Sequence, residues 1–517
     1  MRLPPWTWRV MKSRKTRITL ACSPFVLCAL VAAAFPVTNW LGSRAVERHL
    51  ADLEADGHAV EPESYWSAAR AEDDVFQHPV MLSELKNQKV VSISDCEPAI
   101  PGLARRPPKR EPEFAKGLDV RLWFDPPEAD ERVAAERLLK EMADSVGRLD
   151  ALYAALDRPV AAWPVERTKN EFTHGIEVPQ IASSVLRLQR IAGVSGEVAT
   201  LKLVKGDAPA AFRDVGAVLR VAALDLEQKP SILSLVAADA TLQVAHGVIW
   251  EGVLRECWTE PMLLEFERKL SSLRPQQAAS RCYLGEIAFA RSKAELLLAL
   301  STKPRPRSSF PLTQDWKWER ERALGRSRAI WRDLRPSGVE LMKCVESDSV
   351  FIHHSSQATR GARTRFSSAD LKFFRDRYES CPEAWLINPA WLSDRRDADA
   401  EGWSQLSNLA QLALRLEARV DLLRTGIALE RHRLAEGRPP GDLKELVPTY
   451  LPALPMDPFD VKPLRYRVQL DGSPHLWSIG PDLVDEGGLP HFDRHSKGDL
   501  VWITRPIPGF TKKQLRR

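Results

Sequence analysis

The densest group of residues able to do chemistry lies near the C-terminus. Asp482, Asp485, Glu486, Asp493 and Asp499 follow one another in a stretch that also holds Gly480, Gly487 and Gly488. Carboxylates separated by glycines suit hard divalent cations. Such ions take about six to eight oxygens, and glycine lets a backbone bend around them. On this reading Asp482, Asp485 and Asp499 hold a metal ion, with calcium the natural candidate. The same composition also makes a solvated acidic turn, because Asp bonds its own backbone two residues on. The residues alone leave both readings open. Just upstream, Asp457 and Asp460 flank Pro458-Phe459, a pattern that predicts a turn with Phe459 packed beneath it. Turn-forming roles fall to Asp457, Pro458, Gly480, Gly487 and Gly488.

Elsewhere the chemistry-bearing types are scattered. His353-His354-Ser355-Ser356 has neither a GxSxG nor an HExxH companion, and reads as a surface loop. The seven cysteines include no CxxC pair, so a zinc ribbon or a thioredoxin-like motif is not expected. Cys257 and Cys282 fall near the ends of consecutive predicted helices, where they are either paired or simply thiols. No catalytic residue is assigned. The expectation is a non-catalytic protein, and its rival is an envelope hydrolase whose site carries no familiar motif.

The elements that must position these residues begin with Ile18 to Gly42, 25 residues without a charge. A bilayer core needs roughly 20 apolar residues as helix. Six basic residues precede the span, from Arg2 to Arg17, which predicts a cytoplasmic N-terminus and a body on the far side of the inner membrane. A cleaved signal peptide ending near Ala32-Ala33-Ala34 is the alternative. Those six residues and the four at Lys512, Lys513, Arg516 and Arg517 more than account for the net charge of +5, so the remainder is acidic. A nucleic-acid partner is therefore not expected.

The chain reads as a basic tail (1–17), a transmembrane helix (18–42), a juxtamembrane helix with an irregular connector (43–118), a helical domain (119–301), a linker and mixed helical region (302–402), a long helix with a small α+β module (403–505), and a basic tail (506–517). The fold class is mainly α, a helical bundle or irregular solenoid capped by a short antiparallel sheet. In the helical domain Val133, Leu139, Met142, Val146, Leu149, Tyr153 and Leu156 form one apolar stripe. Phe212, Val215, Leu219, Ala222 and Leu226 form another. Further helices are predicted from Ser231 to about Cys257, over Pro261–Leu273, over Gln276–Leu300, near Asp315–Leu334 and from Trp403 to Glu436. LRYRVQL (464–470) and HLWSIG (475–480), joined by Asp471-Gly472, predict a hairpin.

The last stretch carries a resemblance. It runs LERHRLAEGRPPGDLKELVPTYLPALPMDPFDVKPLRY, then LWSIGPDLVDEGG, then GDLVW. This order resembles the soluble part of the major pseudopilin of type II secretion systems. The matching positions are Gly437, Pro440, Leu443, Leu446, Asp457, Pro458, Tyr466, Ser478, Gly480, Asp482, Gly487, Gly488, Asp499 and Trp502. The resemblance implies a helix leading into a short sheet and a calcium-binding loop. Leu483 stands where that family usually has glycine, and the family's N-terminal leader has no counterpart here. The whole arrangement, with AEDDVFQHPVM (71–81) following the apolar span, also resembles membrane-anchored proteins of planctomycete- and verrucomicrobia-type bacteria, a likeness that carries no function with it. The sequence thus suggests a cell-envelope scaffold or interaction protein, with a secretion-system or other envelope protein as partner. An accessory part of a type II secretion or pilus-like assembly is the alternative.

Overall fold

The computed structural model describes residues 51, 54–55, 72–87, 90–92, 119–124, 127–160, 177–228, 232–282, 367–369, 372, 393–470, 472–489 and 498–502. The apolar span 18–42, both basic tails, His353–Ser356 and the helix expected near Asp315–Leu334 lie outside these residues. The chain divides into two compact units. The elements below belong to the one formed by 61–286, 358–381 and 403–517, apart from the start of its last helix.

The described residues are mostly helical. The helices are α1 (Pro79–Asn87), α2 (Glu131–Glu141), α3 (Ala143–Leu156), α4 (Glu177–Lys205), α5 (Ala208–Gln228), α6 (Ile232–Leu254), α7 (Glu260–Ser272) and α8 (Ser393–Glu436). Residues 275–282 are helical as well. The strands β1 (Arg465–Val468), β2 (Pro474–Ser478) and β3 (Leu500–Trp502) form one antiparallel sheet in that order.

At the centre of the body α4, α5 and α6 pack against one another. The apolar stripe of α5 turns inward as expected, with Val215, Leu219, Ala222 and Leu226 all buried. Phe212 is half-buried and meets Phe266 of α7, ring centroids 5.0 Å apart. The close approach of α4 and α6 depends on Gly196, because a Cβ there would lie 2.3 Å from Val244. Gly252 near the end of α6 likewise makes room for the Trp258 indole, whose N–H donates to the Ile249 carbonyl at 2.7 Å.

By length and apolarity α6 is the one described helix able to cross a membrane. In the structure it packs against α4 and α5 and carries two buried acids. Asp239 is paired with Arg415 (3.0 Å) and Arg419 (2.9 Å) of α8, and Glu251 with Arg255 (2.7 Å), which also reaches Glu131 (2.8 Å).

Three expectations need correction. The stripe from Val133 to Leu156 predicted one helix, but it is two, α2 and α3, meeting at Met142. There the Val91 amide donates to Ser145 Oγ at 3.1 Å. The change of phase leaves Val133 53% exposed and buries Leu138 rather than Leu139; Val146 is half-buried, and Leu149, Tyr153 and Leu156 are buried. Second, the stretch expected to be irregular contains an integral part of the body. Val75, Phe76 and Met81 are fully buried, and the Val75 amide donates to Val160 O at 2.7 Å. Third, α8 begins at Ser393 instead of near Trp403. Its first ten residues, SDRRDADAEG, have no apolar stripe to betray a helix.

Helix α8 serves both parts of the unit. Leu409, Leu412, Leu416, Leu423 and Ile427 are buried along it. Arg424 pairs with Glu267 (3.0 Å) and Arg431 with Glu260 (2.7 Å), both on α7. The helix ends at Gly437, whose φ of +71° is the left-handed cap conformation that glycine adopts freely. A capping box of Asp442 and Glu445 then opens a short 3-10 turn at Leu443–Leu446. The expected hairpin is present, pairing Arg465 with Trp477 and Val468 with Pro474, and Gly472 sits in the turn.

Candidate functional site

One face of the sheet carries Tyr466, Leu476 and Trp502, and the other Arg465, Arg467, His475 and Trp477, since side chains alternate across a strand. The Tyr466 hydroxyl donates to Pro440 O at 2.7 Å. Trp502, 1% exposed, lies against Gly426 of α8, where a Cβ would come within 2.5 Å of its ring, and stacks on His246 of α6 at 4.8 Å. The second face is bonded to the loop that the sequence singled out.

Asp457 is wholly buried and works as a staple. Its Oδ1 accepts from the Phe459 amide (3.0 Å) and the Ser478 hydroxyl (3.0 Å), and its Oδ2 from the Ile479 amide (2.9 Å) and Arg465 (3.0 Å). Burial pushes its carboxyl above the usual range despite these donors. Phe459 is buried, as the turn reading predicts. Arg465 gathers three carboxylates, reaching Asp460 at 2.5 Å and Asp485 at 3.4 Å besides Asp457. The guanidinium holds Asp460 below its ordinary value.

Each of the three acids read as a metal set already serves the loop. Asp482 accepts from the amides of Val484 (3.3 Å) and Gly498 (2.8 Å). Asp485 accepts from the Trp477 indole (2.9 Å), the Gly487 amide (2.9 Å) and Arg465. Burial acts to raise Asp485, but these donors outweigh it and hold the carboxyl low. Asp499 Oδ2 accepts from the amides of Gly488 (2.7 Å) and Leu489 (3.2 Å), while its Oδ1 is buried without a hydrogen bond. Burial pushes Asp499 up to about 7, with the charges of Glu486 and Asp485 adding to the effect. Among the described residues no three His, Cys, Asp or Glu side chains converge as a metal-holding group. Asp485 faces an arginine, which supplies the positive charge there, so it does not fit a cation. Asp499 offers no more than one further oxygen, since its Oδ2 is taken by two amides and the Glu486 amide also bonds the carboxyl.

Leu483, where glycine was expected from the resemblance, has φ +66° and adopts the left-handed conformation all the same. His475 is wholly buried, and its Nε2–H donates to Gly488 O at 3.1 Å. A Cβ on Gly488 would lie 2.0 Å from that ring. Burial, with Arg467 nearby, lowers the imidazole to about 4. Arg467 also stacks over Trp477 at 5.2 Å and donates to Gly487 O at 3.2 Å. Sequence reasoning missed Arg465, Arg467 and His475, although their alternation in RYRV and HLW follows from the strand period.

A second polar cluster lies inside the body. Tyr153 donates to Ser195 Oγ at 2.9 Å, Ser195 donates to Ile191 O at 2.8 Å, and Lys202 pairs with Asp214 at 2.7 Å. The four side chains come from α3, α4 and α5, and all are buried. The serine proton is committed to a backbone carbonyl, so the cluster ties helices together. Cys257 and Cys282 are not joined to each other.

No family model matches the chain, and no curated protein or solved structure matches it either.

Proposed function

We propose that the protein is a non-catalytic scaffold or interaction protein of the cell envelope. In this reading the 18–42 span anchors it in the inner membrane, and a pseudopilin-like module is presented outside the cytoplasm on a helical bundle. The observation that carries the reading is the rigid join between module and body. One helix, α8, runs through both, its arginines are paired to α6 and α7, and Trp502 is sunk between α6 and α8. A second support is that Asp457, Asp482, Asp485 and Asp499 hold backbone amides, which is work of shape. The accessory role in a secretion or pilus-like assembly is favoured by one further observation. Helix, 3-10 turn, hairpin, acidic loop and third strand follow in the order that the resemblance implies.

Calcium belongs to this proposal through the resemblance of the acidic loop, and Asp499, crowded by the charges of Glu486 and Asp485, is the acid that a cation would relieve. A bound cation would neutralise the charge that Asp499 shares with Glu486 and Asp485 and tie the loop to β3. Thermal unfolding of the detergent-solubilised chain with calcium and with chelator tests it. At a hundredfold excess over the dissociation constant about 2.7 kcal/mol of stabilisation is expected. Coincident curves would remove calcium from the reading.

Two measurements test the scaffold itself. Protease added to spheroplasts should degrade the body, and recovery of uncleaved protein in the soluble cytosol would overturn the topology. A photo-crosslinking residue at Val461 or Val484, which are 67% and 53% exposed, should yield a discrete adduct in cells. The absence of any adduct from either position would count against a docking role for the module.

A further inference from the structure

We propose that β3 is a strap that couples the order of the 480–489 loop to the seating of the sheet on the helical body. This goes beyond the functional reading above and holds whether or not the loop binds a cation.

At its first end the strap grips the loop from both sides. The Gly498 amide donates to Asp482 Oδ2 at 2.8 Å, and the Gly498 carbonyl lies so near Gly480 that a Cβ there would be 2.3 Å away. Asp499 accepts the amides of Gly488 and Leu489, and its own amide donates to Leu489 O at 3.1 Å. Two consecutive residues thus hold both limbs of the loop. At its other end, three residues from Asp499, the strap finishes in Trp502, seated on Gly426 of α8 and stacked on His246 of α6. Leu500 and Val501 between them are in register with Ser478 and Trp477.

No slack separates the two ends. A strand advances about 3.3 Å per residue, and a one-residue slip would turn every side chain to the opposite face. Trp502 therefore cannot leave its seat by sliding. It leaves only if β3 unpairs, and unpairing frees Gly498 and Asp499 from the loop. The loop grip, the strand pairing and the tryptophan seat make one local unit that opens or closes together. A ligand that orders the loop would thereby be reported at the α6–α8 seat, and a partner that pries at the seat would loosen the loop.

The test uses the full-length, detergent-solubilised chain. Gly426→Ala crowds the Trp502 seat, and His246→Leu removes the stacking; both positions lie on helices rather than in the loop. Radical footprinting reads exposure of Trp502, and hydrogen exchange reads the 480–489 peptide. In both variants Trp502 oxidation should rise several-fold, and loop exchange should rise about tenfold with it. Exchange across α5 should stay at the wild-type level. Reciprocally, Asp499→Ala should raise Trp502 oxidation. Increased Trp502 oxidation with unchanged loop exchange would overturn the coupling. Faster exchange throughout, α5 included, would also overturn it by showing only global destabilisation. Unchanged Trp502 oxidation in both Gly426→Ala and His246→Leu would show that the seat does not hold the ring, and would overturn it as well.

Discussion

The helical body and the C-terminal module use their acids differently, although Arg465 pairs three carboxylates of the module. In the body acids meet bases from other helices. Asp239 of α6 takes Arg415 and Arg419 of α8, and Asp214 of α5 takes Lys202 of α4. In the module the acids turn to the backbone: Asp457, Asp482, Asp485 and Asp499 all accept amide hydrogens. Helices satisfy their own peptide groups, so a buried charge among them needs a partner side chain. A module of short strands and loops leaves many amides unanswered, and carboxylates answer them. The Asp239–Arg419 pair thus spans 180 residues of sequence, whereas the module's carboxylate bonds span 22 or fewer.

The largest expected effect tests the body. Asp239→Ala leaves Arg415 and Arg419 facing each other with no acid between them, and should cost about 3–5 kcal/mol in a denaturant titration. A cost below about 1 kcal/mol would erase the contrast with the module. Leu219→Ala comes next. Its side chain is 2% exposed at the heart of α5, and about 2–5 kcal/mol is expected. A change within about 0.5 kcal/mol, the size typical of surface sites, would show that α5 is not core.

A third prediction belongs to the module and concerns pH. His475 falls to about 4 in the folded chain, below the ordinary value of 6.5. The unfolded chain therefore binds more protons between those values. The stability that neutral His475 supports is complete above about 6.5 and is lost as pH falls toward 4. The loss amounts to about 3 kcal/mol. Asp499, pushed up to about 7, works in the opposite direction, because its folded form takes up a proton more readily than the unfolded chain. Comparison with His475→Gln cancels the aspartate, since both proteins carry it, and glutamine keeps a donor for Gly488 O. Relative to wild type the variant should gain about 3 kcal/mol between pH 7 and pH 4. A constant difference would mean that the imidazole does not titrate on unfolding.

The smallest effect sharpens the backbone side of the comparison. Leu483 at φ +66° pays a conformational penalty that glycine avoids. Leu483→Gly should be neutral or stabilising by up to about 1 kcal/mol, once the greater freedom of unfolded glycine is subtracted. Destabilisation beyond that would mean that the half-buried leucine side chain matters more than its backbone angle.

These contrasts also explain what was legible in the sequence. The helix of Phe212 to Leu226 could be read because an apolar face recurs every turn. The hairpin could be read because a DG pair joins two alternating runs. The buried Asp239 could not be assigned a partner, since Arg415 and Arg419 lie some 180 residues away in α8. The start of α8 was hidden by a charged first stretch without a stripe. The acidic loop was visible as composition. Its geometry was not, because the atoms that organise it are amides at Gly487, Gly488 and Gly498, and amides have no letter in a sequence. Phe76 and Met81 were noticed only as part of a resemblance, and packing against the body explains why they are apolar.

Three glycines described above share a geometry with a consequence for substitution. Gly252 makes room for Trp258, Gly426 for Trp502 and Gly488 for His475, and in each case a Cβ would fall within 2.5 Å of the ring. Each glycine and its ring form one steric unit, so their substitutions should be epistatic. Enlarging the glycine alone, or shrinking the ring alone, leaves a clash or a void, whereas a matched exchange at both positions can restore contact. In related chains the two members of each pair should change together.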